Sequence, residues 1–275
     1  MPEWDEFGAE YDFPTFSEQP KIYVIASTPR SGSHYLGHLL QATGLLGSPL
    51  EYFHPEKKER LLAETQTATL AEAFKELYSH RTSPNGWFGV KAHPWQFVPM
   101  MENAEVREAL PVKWFVCIER RDRVAQAISH EIARQTKSWI SFNKTDCVPH
   151  FSARDIKRAI AMMESQVIQW REYFQSNEII PITVYYEDLV ADPLGEINRI
   201  LESFGIDRLS RAPAVSIAKQ GTQLNDEWRL RYLAEETSLT HKGAVVARRI
   251  FADVKALVHN EASRAAFLRP AIQKR

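Results

Sequence analysis

Ile22-Tyr23-Val24-Ile25-Ala26 is an unbroken apolar run that leads through Ser27-Thr28-Pro29-Arg30-Ser31-Gly32-Ser33 directly into Leu36, Leu39, Leu40 and Thr43 at helical spacing. A run with no polar alternation fits a strand buried on both faces. Gly44 then stands where helices commonly end in the left-handed region. The segment reads as strand, tight polar loop, helix.

The unit recurs. Val112 to Ile118 is a second buried-strand run, followed across Arg120-Arg121-Asp122 by Val124, Ala127, Ile128 and Ile132 on one helical face. Asp122 is a natural N-cap for that helix. Trp87 to Ala92 and Pro181 to Tyr186 are further strand candidates, with a short segment at Leu50 to Phe53 and helical stretches near 57–64 and 68–79. Ser152 and Asp155 form a capping pair ahead of Ile156, Ile160, Met163, Val167, Trp170 and Phe174, which predicts a long amphipathic helix. Leu194 to Phe204 reads as a helix ended by Gly205, and Val246, Ile250, Val254 and Leu257 as a C-terminal one. Strands alternating with helices give an α/β fold, a P-loop-like, mostly parallel sheet flanked by helices on both faces. In such sheets ligands bind beyond the carboxyl ends of the strands.

With 275 residues, the chain has room for one large α/β domain or two small ones. The expectation is an N-terminal arm over 1–20 and a single domain over 21–275. The arm carries Glu3, Asp5, Glu6, Glu10, Asp12 and Glu18 with no Lys or Arg, the opposite of a secretory or transit sequence. Its aromatics, Trp4, Phe7, Tyr11, Phe13 and Phe16, suggest docking on this chain or on a second copy. No apolar run approaches the length of an integral membrane segment. Cys117 and Cys147 are too few for a disulfide framework or a four-thiolate zinc site, so a cytoplasmic location is expected. A net charge of −1 supplies no bulk field for nucleic acid. Any anion bound must meet a local site.

The loop after the first strand is such a site. It enters a helix whose first N–H groups carry partial positive charge. Gly32 lets the backbone approach closely, Ser31 and Ser33 add hydroxyls, and Arg30 adds a fixed cation. A nucleoside-triphosphate loop needs Gly-x-x-x-x-Gly-Lys-Ser/Thr; the second Gly-Lys is missing, which weakens an ATPase reading. An ordinary serine-capped turn is the bland alternative.

From Ser27 to Ser33 the sequence resembles the donor-binding loop of sulfotransferases, which grips the 5′-phosphosulfate of phosphoadenosine phosphosulfate (PAPS). More closely, it resembles the bacterial trehalose-sulfotransferase-like family, a carbohydrate sulfotransferase group. The likeness is carried by Ala26 to Ser33, Ala42-Thr43-Gly44, Gly47-Ser48-Pro49, Glu51-Tyr52-Phe53 and Phe88-Gly89-Val90-Lys91. It continues in Arg120, Asp122, Gln126 to Ser129, Gln135 to Trp139, Tyr185 to Leu189 and Asn225 to Trp228.

This resemblance implies PAPS as donor, held by Pro29, Arg30, Ser31, Gly32 and Ser33 at the phosphosulfate and by Arg120 and Ser129 at the 3′-phosphate. Lys219, in Lys219-Gln220-Gly221, falls where such enzymes clamp the nucleotide with a late basic loop. Arg30 takes the catalytic position that stabilises charge on the leaving oxygen; being permanently charged, it acts electrostatically. Glu51 matches the family's carboxylate base, and the aromatics beside it are expected to desolvate it and raise its pKa. His54 is the competing base, and chemistry alone does not separate the two. Tyr52, Phe53, His54, Lys91 and Trp139 are candidate acceptor contacts. The carboxylates of Tyr186-Glu187-Asp188-Leu189 read as turn caps. No metal is implied, since the sulfuryl group carries less charge than a phosphoryl group and a cationic loop can suffice. His130, Glu131 and His34 or His38 are the residues a metal would recruit, but His34 and His38 at i, i+4 lack a Glu or third ligand at zinc spacing.

The function expected is transfer of a sulfuryl group to a hydroxyl of a carbohydrate or glycolipid, by a chain the resemblance makes a homodimer. The segments 54–86 and 137–151 depart from the trehalose-using pattern, so the acceptor is left open. Two rivals stand beside this reading, a P-loop nucleotide kinase or hydrolase and a non-catalytic nucleotide-binding dimer module.

Overall fold

Side chains leave a strand alternately toward its two faces, and along β1 (Lys21–Ala26) every residue after Lys21 is buried. Ile22, Val24 and Ala26 enter one hydrophobic core, while Tyr23 and Ile25 enter another. The two-sided burial expected of the apolar run is thus present, and each core needs its own layer of helices.

The computed structural model describes residues 5–139, 147–215 and 223–238. Among them, β1 pairs with β2 (Trp87–Ala92) and β3 (Val112–Glu119), and β3 with β4 (Ile182–Tyr185). All pairings are parallel, in the order β2-β1-β3-β4. The helices are α1 (Ser33–Ala42), α2 (Lys58–Thr65), α3 (Leu70–Arg81), α4 (Pro94–Glu102), α5 (Ala104–Ala109), α6 (Arg123–Thr136), α7 (Ala153–Ser176), α8 (Tyr186–Ala191) and α9 (Pro193–Ser203). Leu36, Leu39 and Leu40 of α1 and Ile197, Ile200 and Leu201 of α9 fill the core of Tyr23 and Ile25. Phe74 of α3, Phe97 of α4, and Trp170 and Phe174 of α7 fill the other. The fold is α/β with helices on both faces, as expected.

The helix ends follow the capping residues. Asp122 accepts from the Ala125 N–H at the start of α6, and Ser152 from the Asp155 N–H at the start of α7. Three helices escape the sequence reading. In α4, Pro94 sits in the first turn, where its missing N–H costs nothing, but Pro99 inside the helix breaks the periodic signal. α5 is a single short turn-and-a-half, and α8 follows β4 without a linker, so its start reads as strand. Leu50 forms only an isolated bridge with Val90.

The arm docks on its own chain. Arg81, 3% exposed, donates to the carbonyls of Glu6 (3.0 Å) and Gly8 (3.1 Å) and pairs with Asp12 (2.7 Å). Ser48 Oγ donates to the Tyr11 carbonyl (2.6 Å), and the N–H groups of Phe13 and Phe16 donate to His80 and Ser79. By compactness the chain divides into Met1–Asn225 and Asp226–Arg275. The second unit is helical over its described residues, 226–238. The C-terminal helix expected around Val246 to Leu257 lies outside the described residues, as does Lys219. No helix among the described residues is long and apolar enough to cross a membrane.

The strand order fixes where a ligand belongs. β1 lies between β2 and β3, so the chain leaves β1 toward one side of the sheet and returns later on the other. The crevice between the carboxyl ends of β1 and β3 is the topological switch point. The loop Ser27 to Ser33 and the turn Arg120 to Asp122 open onto it.

Candidate active site

The loop after β1 is held from three directions. Trp170 Nε1 donates to the Ser27 carbonyl (2.9 Å), and Ser27 Oγ donates to the Ala92 carbonyl at the end of β2 (3.1 Å). From α6, the fully buried amide of Gln126 donates to Thr28 Oγ1 (2.9 Å) and to the Pro29 carbonyl (2.7 Å). Within this frame Arg30 (φ 60°) and Gly32 (φ 94°) are both left-handed. For glycine that conformation is free; for arginine it is strained, the kind of strain that surrounding contacts must hold in place.

Those contacts are visible. Arg30 Nε donates to Ser129 Oγ (2.9 Å) and one terminal nitrogen donates to the Trp139 carbonyl (2.5 Å). Burial, and then the neighbouring Arg120, push the Arg30 guanidinium down to about 10. Two guanidinium groups held near one another favour an anion between them. Arg120 lies over the Tyr186 ring, 4.8 Å from its centre. The partners that the turn offers Arg120 are used elsewhere: Glu119 pairs with Arg123 (2.6 Å) and Arg171 (3.7 Å), and Asp122 caps α6. Arg120 Nε and Ser31 Oγ are buried with no hydrogen-bond partner among the described residues. Donors left over in this way, beside a helix N-terminus, fit a phosphate-like group.

Tyr186 also closes on the loop. A Cβ added to Gly32 would lie 2.3 Å from Tyr186 Cδ2. Gly32→Ala is therefore expected to displace both the loop and Tyr186. At a strain of about 1–3 kcal/mol, the variant should lose that much stability in denaturant unfolding. Unchanged stability would mean that Tyr186 yields to the added methyl without strain. The carboxylates of the next two residues act as the sequence suggests: Glu187 accepts from the N–H groups of Arg121 and Asp122, and Asp188 pairs with Arg121. They fix the turn that carries Arg120.

Glu51 follows directly on the bridge that Leu50 makes with Val90 of β2. Its Oε1 accepts from Gln96 Nε2 (2.6 Å), and its Oε2 is paired with Lys91 Nζ. Lys57 Nζ donates to the Glu51 carbonyl (3.2 Å) and pairs with Glu6 of the arm. The expected rise in pKa is overturned. Burial by itself would raise the carboxyl, but Lys91, then His93 and Lys57, outweigh it and hold Glu51 well below the usual carboxylate range.

The acceptor contacts named from sequence separate into two groups. Tyr52 and Phe53 are fully buried in the core with Phe74, Phe88 and Phe97, so they support the Glu51 segment from beneath. His54 caps the 3-10 turn Pro55–Lys57 by accepting from the Glu56 N–H (3.3 Å), and its ring packs edge-on against Trp95 at 5.4 Å. Trp95 and Trp139 are each nearly half exposed, Trp139 packing against His130. Lys91 is occupied by Glu51. Sequence reasoning missed His34, Gln96, Gln126 and Tyr186 as site residues. His34 lies in the first turn of α1, stacked edge-on against His38 at 4.5 Å, with Lys91, Glu51 and Arg30 among its charged neighbours. Burial, then His38 and Lys91, press it down to about 2, a neutral imidazole.

The loop with its leftover donors thus stands at the switch point of a parallel sheet, and the paired carboxylate of Glu51 is held by Lys91 near the end of β2. The Stf0 sulphotransferase family model matches residues 22–235, and the chain belongs to that family. It is a sulfotransferase. The trehalose 2-sulfotransferase of Mycobacterium tuberculosis (strain ATCC 35801 / TMC 107 / Erdman) is 28% identical over 81% of this chain and 98% of its own length. That of Mycolicibacterium smegmatis (strain ATCC 700084 / mc(2)155) is 27% identical over 78% and 96%. Nodulation protein H of Rhizobium meliloti (strain 1021) is 25% identical over 76% and 85%. Among solved structures, the sulfotransferase domain of the Synechococcus PCC 7002 olefin synthase covers 79% of this chain and 90% of its own, at 17% identity and a TM-score of 0.39.

Proposed function

We propose that the protein moves the sulfuryl group of PAPS to a hydroxyl of a carbohydrate, free or in a glycolipid. The observation that carries this is the Arg30 to Ser129 hydrogen bond, which joins the loop after β1 to the helix after β3. It sets the two proposed half-sites side by side, and PAPS is a nucleotide with anions at two positions. In this reading Pro29 to Ser33 hold the 5′-phosphosulfate, and Arg120 and Ser129 the 3′-phosphate. Lys219, outside the described residues, is proposed as a further nucleotide contact.

Glu51 serves as base. The acceptor oxygen attacks sulfur opposite the bridging oxygen, so the new S–O bond forms as the S–O bond to the phosphate breaks. The hydroxyl proton passes to Glu51, and the electron pair stays on the phosphate oxygen, where Arg30 stabilises it. The carbohydrate acceptor is supported by the names of the mycobacterial relatives, and the half-exposed indoles of Trp95 and Trp139 suit the C–H faces of a sugar. A cytoplasmic homodimer belongs to the same proposal.

Calorimetry with 3′,5′-phosphoadenosine and label transfer from PAPS to a panel of saccharides test it. Nucleotide binding without added metal and a labelled sugar product are expected. Tight ATP binding that requires magnesium would move the protein to the kinase or hydrolase class. Nucleotide binding with no transfer to any sugar would leave a binding module.

A further inference from the structure

Both oxygens of the Glu51 carboxylate are engaged, one by Gln96 and one by Lys91. A carboxylate so paired is well placed but weakly basic, and to take a proton from an acceptor it must lose a partner. Gln96 is fixed: it is 2% exposed, sits in the first turn of α4, and its own carbonyl oxygen accepts from the His93 N–H (2.8 Å). Lys91 carries its ammonium on a flexible four-carbon stem.

The sheet register shows where that stem can reach. Lys91 pairs with Ile25, and paired residues of parallel strands share a face. Ile25 faces the core that α1 covers. Lys91 therefore stands on the α1 side of the sheet, level with the last residues of β1, immediately before the loop that begins at Ser27. The charges of Lys91, Glu51 and Arg30 all act on His34, in the first turn of α1.

We propose that Lys91 is a shared cation, held by Glu51 as the structure shows it and drawn to the 5′-phosphate of the nucleotide when that group enters the loop, so that nucleotide binding releases the base. The inference rests on the donor and base assignments of the proposed function. It makes deprotonation of the acceptor wait for the donor, and it gives the loop an ammonium to add to Arg30.

The other charges around Glu51 do not compete for this role. Lys57 is committed to Glu6 of the arm and to the Glu51 carbonyl. His93, at the start of α4, is buried and its ring is held at the Ser27 carbonyl (3.1 Å), so it stays where it is, and burial presses the His34 imidazole of α1 toward its neutral form. Glu6 adds a like charge, which resists ionisation of Glu51 and cannot replace Lys91. Departure of Lys91 therefore removes the main charge that stabilises the carboxylate.

The test is a carbon-13 NMR titration of the Glu51 carboxyl, its resonance assigned by its loss in Glu51→Gln, with and without saturating 3′,5′-phosphoadenosine. Nucleotide should raise the Glu51 pKa by about 1–3 units, the scale of one opposite charge leaving a carboxylate. In Lys91→Met the rise should be present before nucleotide is added, with little further change on adding it, and nucleotide should bind more weakly. An unchanged Glu51 titration in wild-type protein that binds nucleotide would overturn the inference and leave the proposed function standing. Wild-type protein that binds no 3′,5′-phosphoadenosine would overturn both. The wild-type pair of titrations decides the matter even if Lys91→Met does not fold.

Discussion

Glu51→Gln should slow sulfuryl transfer by about 10²- to 10⁴-fold, the contribution usual for a positioned general base, while nucleotide binding survives. The amide matches the carboxylate in shape and can still accept from Gln96. What it cannot do is take a proton or balance Lys91, which is 7% exposed. A buried ammonium without its partner destabilises the fold, so unfolding should be followed alongside turnover. The same ammonium becomes available to the donor, so nucleotide affinity in Glu51→Gln should hold or rise. His54→Ala is the control for the competing base. Because His54 caps a 3-10 turn and packs on Trp95, its loss should be felt mainly in KM for the acceptor. Full turnover in Glu51→Gln with collapse in His54→Ala would exchange the two roles.

How much of this could be read from the chain depends on the length scale of each feature. The strands of the sheet announce themselves because two-sided burial leaves an apolar run that nothing else in a soluble domain requires. The loop is legible for a similar reason: Arg30, Ser31, Gly32 and Ser33 are contiguous, and their chemistry acts locally. Helices α4 and α8 are hidden by local exceptions, a proline inside one and the absence of a linker before the other.

The site is harder, because its second half is assembled by sheet register. Nothing near Glu51 in sequence reveals that Lys91 and Gln96 will hold its two oxygens across separations of 40 and 45 residues. Reasoning from the flanking Tyr52 and Phe53 gave the wrong sign for its pKa: those rings turn into the core, and the carboxylate faces ammonium groups instead. Gln126 was similarly hidden, since a glutamine on a helix looks solvated until the loop it anchors is placed beside it. His34 did carry a signal. It follows directly on Ser33, in the first turn after an anion loop, but its spacing to His38 directed attention toward metals. Among the described residues no cluster of three or more metal-ligating side chains forms around it.

Arg30→Ala is expected to cost about 10²- to 10³-fold in turnover, the scale of one preorganised electrostatic donor, with a loss of nucleotide affinity besides. Two effects are mixed in that substitution and can be separated. The guanidinium supplies charge, and through Ser129 and Trp139 it also ties the loop to α6 and the segment after it. Arg30→Lys keeps the charge but, lacking the planar fork, cannot make both hydrogen bonds, so it should fall between wild type and alanine. The backbone is the second confounder, because position 30 is left-handed, at φ 60°. Alanine there is as strained as arginine, whereas glycine relieves about 1 kcal/mol. Arg30→Gly should accordingly fold more stably than Arg30→Ala yet turn over equally slowly. Equal losses in the two variants assign the effect to the guanidinium. Recovery of the rate in glycine would assign it to the loop conformation, and wild-type turnover in either would remove Arg30 from the chemistry.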